Sequence, residues 1–217
     1  MSLLDLFTKK KTLTAAISQT AKARSSEGKT ADSLYKSAYR DYAEVLIGDA
    51  LRSEALYNWG FALLHQAKIK LDKEAVQLYQ DAISKFSACL LLNPDYLAAA
   101  IDGGVAYMDL ARLKDVVAQD ELYELAKSYF ETANAIQAGS ASYNLACVYG
   151  LRNEGEACLK ALEIAKNKGF LPNVEEVVND PDLDMVKNQP WFVEFIATLE
   201  TAVTVIPEKI ESPVDTE

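Results

Sequence analysis

The skeleton Leu34-Tyr35, Ala38, Tyr42 recurs as Leu78-Tyr79, Ala82, Phe86 and again as Leu122-Tyr123, Ala126, Phe130. Each copy stands 44 residues after the last (78 − 34 and 122 − 78). A period of that length marks a stacked array, in which each unit hides its apolar face only against its neighbours. Other positions obey it too. Gly60 corresponds to Gly104, Ala62 to Ala106, Leu64 to Met108, and Ala23-Arg24 to Ala67-Lys68 and Ala111-Arg112. Small residues at fixed places let backbones approach, and the Tyr/Phe places fill the space between layers. No proline precedes Pro94, and the chain is rich in Ala, Leu, Lys and Glu. The repeating unit is therefore a helix pair and the fold all-α. At 217 residues the chain is long enough for one continuous core.

On these residues the chain resembles the tetratricopeptide repeat family. Gly104 and Tyr107 meet that family's pattern in a first helix, and Ala126, Phe130 and Ala133 meet it in the second. Residues 143–165, "YNLACVYGLRNEGEACLKALEIA", match most closely, through Asn144, Leu145, Ala146, Tyr149, Cys158, Leu162 and Ala165. The resemblance implies a right-handed α-solenoid of antiparallel helix pairs. Between the small residue of the first helix and the Ala-type residue of the second, this last unit takes 12 residues (158 − 146). The two before it take 22 (82 − 60 and 126 − 104). The ten extra, "KIKLDKEAVQ" and "RLKDVVAQDE", hold no Gly or Pro and read as added helical turns, with Asp72 as a candidate N-cap.

The pairs are expected at about 10–48, 53–94, 97–138 and 139–168, after an N-terminal segment 1–9. Closing helices at about 173–204 resemble those that follow bacterial repeats of this kind, with Asp180-Pro181 and Gln189-Pro190 as helix starts. A polar, proline-interrupted tail from 207 to 217 is expected to be disordered.

The search for chemistry is negative. His65 is the sole histidine, so no two-His metal site can form, and the sequence has no Gly-x-Ser-x-Gly turn and no Gly-rich phosphate loop. Asp180, Asp182 and Asp184 alternate as in a calcium loop, but Met185 and Trp191 stand where that loop needs Gly and Glu. No enzyme, cofactor or metal is expected. Net charge is −10, a poor basis for binding nucleic acid. It is unevenly spread, +5 over residues 1–40 and −9 over 172–217. The charged ends leave head-to-tail self-association open. Cys89, Cys147 and Cys158 read as reduced thiols of a cytoplasmic protein. No window approaches a membrane span, although Leu3, Leu4 and Phe7 beside Lys9–Lys11 leave contact with a membrane surface open.

What remains is a surface. The places that face the groove in the resembled family carry over to Tyr57, Phe61 and Leu64, to Ile101, Val105 and Met108, and to Tyr143 and Cys147. Where family members that grip acidic tails use Lys, Arg and Asn, this chain has Glu54, Ala98 and Ser140, so such a clamp is not expected. Three readings of the apolar groove stay open. It holds a partner's amphipathic helix or extended segment; it is filled by the chain's own Trp191–Ile196; or some of these residues are core. The leading expectation is a non-catalytic adaptor or assembly chaperone for another protein or peptide. A self-capped, homo-oligomerising scaffold is the alternative.

Overall fold

The computed structural model describes residues 3–47 and 51–203. Among the described residues ten α-helices follow one another: α1 (Leu3–Arg24), α2 (Gly28–Leu46), α3 (Arg52–Ala67), α4 (Asp72–Leu92), α5 (Leu97–Leu113), α6 (Glu121–Ile136), α7 (Ser142–Leu151), α8 (Gly155–Lys168), α9 (Val174–Val178) and α10 (Pro190–Val203). A 3-10 turn, Pro181–Leu183, joins α9 to α10. The first eight helices pack as four consecutive pairs, α1/α2 to α7/α8, and each pair rests on the next. The chain is an all-α solenoid. First helices of successive pairs touch directly, α1 with α3 and α3 with α5, which puts the first helices on the inner side of the curve.

The 44-residue skeleton builds the layers. Tyr35, Tyr42, Phe86 and Phe130 are at most 1% exposed, and Tyr79 and Tyr123 are buried with them. The paired glycines show why those aromatics fit. A Cβ on Gly60 would come within 2.8 Å of the Phe86 ring, and one on Gly104 would overlap the Phe130 ring. Each ring packs against a backbone that carries no side chain at that point.

The lengthened units put their extra residues mainly into helix: 16 and 21 residues in α3 and α4, 17 and 16 in α5 and α6, against 10 and 14 in α7 and α8. The second extension also supplies a connection, residues 114–120, turned by Asp115 at φ 51°. Two local expectations differ. The first helix is described from Leu3, so residues 3–9 of the segment expected as 1–9 are helical and continue into the face that Leu13, Ala16 and Ala23 bury against α2. Asp72 does not cap α4: Leu71 takes the cap position with no side-chain hydrogen bond, and Asp72 itself sits at φ 50°.

Gly169, at φ 77°, ends α8 by letting its own N–H reach Lys166 O and that of Phe170 reach Ala165 O. Asp180 accepts the Asp182 N–H at 2.9 Å and so starts the 3-10 turn. Phe192, Phe195 and Leu199 of α10 join the cluster of α7 and α8, and α10 packs on α8 and α9. The Trp191–Ile196 stripe therefore closes the end of the array and does not lie along its inner side. The expected tail, 207–217, falls outside the described residues.

Candidate functional site

The inner side is built by α3, α5 and α7. Along α3 the rings of Tyr57, Phe61 and His65 follow one another at 6.2 and 4.4 Å, and the Tyr96 ring lies tilted against Tyr57 at 5.0 Å. The spacing of four residues puts all three α3 rings on one face. Arg24, at the end of α1, lies 5.1 Å from the Phe61 ring. Burial, reinforced by Arg24 and Lys68, pushes the His65 pKa down to about 4, so the ring is neutral at physiological pH.

On α5, Ile101, Asp102 and Val105 face the same strip, partly buried. The Tyr57 hydroxyl donates to Asp102 Oδ2 at 3.1 Å. Burial raises the Asp102 pKa, against the pull of that hydrogen bond and of Lys68. Among the described residues no lysine or arginine pairs with Asp102 directly. Its neighbours are better served: Lys68 meets Asp109 at 3.3 Å, and Arg112 meets Asp109 at 2.8 Å and also Asp182.

At α7 the face is covered. The segment after α9 crosses it, and Tyr143 donates to Asp180 Oδ2 at 2.7 Å while Cys147 Sγ lies 3.6 Å from the same oxygen. Cys147, Asp180 and Asp182 bring ligand-type atoms within 4.8 Å of one another. Those groups already have partners in the chain, Tyr143 and Cys147 on Asp180 and Arg112 on Asp182. Their arrangement acts as a clasp that closes the array.

Of the eight residues expected to face the groove, Tyr57, Phe61, Ile101 and Val105 are partly exposed on the strip, and Tyr143 lies under the clasp. Leu64, Met108 and Cys147 are 3, 3 and 5% exposed and belong to the core clusters. Tyr96, Arg24, His65 and Asp102 belong to the strip although they are not among the eight residues expected there. Asp102 carried a signal, as an acid beside Ile101 where the apolar run of α5 should continue.

An inner face of aromatic and apolar surface around a carboxylate that Tyr57 holds and that no cation pairs with among the described residues belongs to a helical-repeat scaffold that holds other polypeptides. A comparison of families makes this particular. The chain belongs to the family described as plant-specific mitochondrial import receptor subunit TOM20, whose model matches residues 29–151, more than half of the chain. No curated protein and no solved structure matched it. A receptor family makes the coarse role the binding of other proteins.

Two expectations are corrected by the family. The closing helices do not mark a bacterial repeat protein, since the family is described as plant-specific and the match ends at 151, before those helices begin. Any solenoid must end its core with a cap whose outer face is polar, so a closing segment carries no lineage. The assignment to the cytoplasm is replaced by one to mitochondrial import. It rested on three thiols that are all buried, and burial pushes Cys89 up to about 11 and Cys158 up to about 12. Thiols so protected react little and do not report the compartment.

Proposed function

We propose that the chain is a non-catalytic receptor whose inner face holds an amphipathic, arginine-rich helix of a protein bound for the mitochondrion. Mitochondrial transit segments are amphipathic, rich in Arg and Ser and poor in acids. Tyr57, Phe61, Ile101 and Val105 offer such a helix an apolar seat, the helix-in-groove mode of recognition. The observation that carries the reading is Asp102. It is a carboxylate pushed toward its neutral form by burial, held by Tyr57 and lacking a paired cation among the described residues. An incoming arginine would complete it, with a charge-assisted hydrogen bond that an acidic or neutral segment cannot supply. Leu64, Met108 and Cys147 contribute as support beneath the seat.

The test is fluorescence anisotropy with a labelled synthetic helix of alternating Leu and Arg faces. Phe61→Glu is expected to weaken binding by roughly tenfold or more, with the helical circular dichroism spectrum intact. Asp102→Asn should weaken the Arg peptide and leave a Gln-substituted peptide unchanged. Equal binding of Arg and Glu versions of the peptide would overturn the reading.

Asp102 also predicts a pH dependence. Its pKa is raised in the folded chain, so the folded state holds the proton more tightly than the unfolded state. Stability therefore falls as pH rises from the ordinary value of 3.8 through the raised one, and stays lower above it. Asp102→Asn, which keeps an acceptor for Tyr57, is expected to melt higher than wild type at neutral pH. The gain should vanish below the ordinary carboxylate pKa, as measured by thermal denaturation across pH.

A further inference from the structure

We propose that the N-terminal end of α1 is a docking surface for an anionic lipid bilayer. Lys9 donates its ammonium to the carbonyls of Val45 and Ile47, which fixes where α2 ends against α1. From Lys9 back to Leu4, α1 runs on for roughly 7 Å at 1.5 Å per residue. This overhang exposes Leu4 at 76% and Phe7 at 64%. At 100° per residue, Leu4, Phe7 and Lys11 lie on one stripe flanked by Lys10, and both lysines are exposed. The stripe continues through Thr14 and Ser18 to Lys22 with no acidic residue on it. The one acid of α1, Asp5, projects about a quarter turn away from Leu4.

Charge complementarity selects the occupant. The chain carries −10 overall, but on the first turns of α1 Lys9, Lys10 and Lys11 outnumber Asp5, so this tip is drawn to an anionic surface while the acidic bulk is repelled. Size points the same way. Two apolar side chains at the tip of a helix fall far short of the roughly 800 Å² per partner of a specific protein interface. A bilayer accepts such a tip readily, with Phe7 and Leu4 below the headgroups and lysines at phosphate level. The surface lies upstream of the matched residues 29–151 and does not depend on the peptide-binding reading of the inner face.

The experiment is flotation of the full chain with vesicles of phosphatidylcholine alone and of phosphatidylcholine mixed with phosphatidylserine. Retention is expected on the mixed vesicles at low salt, roughly tenfold above that on phosphatidylcholine alone, and lost at high salt. Leu4→Ser/Phe7→Ser should cut retention by about tenfold, and so should Lys10→Gln/Lys11→Gln. Both double variants should melt like wild type and bind the Arg peptide unchanged, which separates failure here from failure of the inner-face reading. Absence of retention on mixed vesicles, or equal retention by wild type and both variants, overturns the proposal. Concentration-dependent sedimentation abolished by Leu4→Ser/Phe7→Ser, without vesicle binding, would overturn it in favour of a second copy as the occupant.

Discussion

Phe86→Ala is expected to destabilise the fold by about 3–5 kcal/mol, lowering the melting temperature by roughly 6–20 °C. Phe86 is fully buried, its ring lies on the Gly60 backbone of α3, and its Cβ reaches Gly103 of α5. It therefore fills the junction between two pairs. Deleting the ring leaves a cavity walled in part by the α3 backbone at Gly60, and backbone cannot move in to fill it. An unchanged melting temperature would mean that the 44-residue register does not define the layers.

Gly104→Ala is the complementary case, in which one added carbon is too many. The new Cβ would overlap the Phe130 ring, which is fully buried and cannot swing away. A cost of about 1–3 kcal/mol is expected from overpacking. Phe130→Leu in the same chain makes room, so the double variant should be more stable than the sum of the single losses predicts. Such coupling in a double-mutant cycle is the signature of direct contact. Additive losses would show that the glycine matters only for backbone propensity.

The layers were legible in the sequence because a ring against a glycine backbone recurs at the same place in the two lengthened units. Gly60 with Phe86 and Gly104 with Phe130 stand 26 residues apart in both units (86 − 60 and 130 − 104). The accessible face was less legible. Leu64 and Met108 occupy places that repeat as faithfully as Phe61 and Val105, yet they are buried while the latter stay partly open. Periodicity reports that a position is constrained, and it does not distinguish packing against a neighbour from readiness for a ligand. The clasp was hidden for a different reason. Tyr143 and Asp180 meet across 37 residues with no repeat to relate them. Lineage and compartment were beyond periodicity altogether, since any helical array needs capped ends and its buried thiols carry no compartment signal.

The polar links between first helices give the array a mechanical character. Tyr57–Asp102 and Lys68–Asp109 join α3 to α5, and Arg112–Asp182 joins α5 to the clasp. All three lie on the inner side, in series along the curve. Straightening the solenoid must stretch them in turn, while the greasy contacts between neighbouring pairs need only rotate. Two of the three are ion pairs with water at one partner, so dissolved salt weakens them. The stiffness of the curve is therefore expected to fall as ionic strength rises, and a pull between its ends is expected to open it first from within.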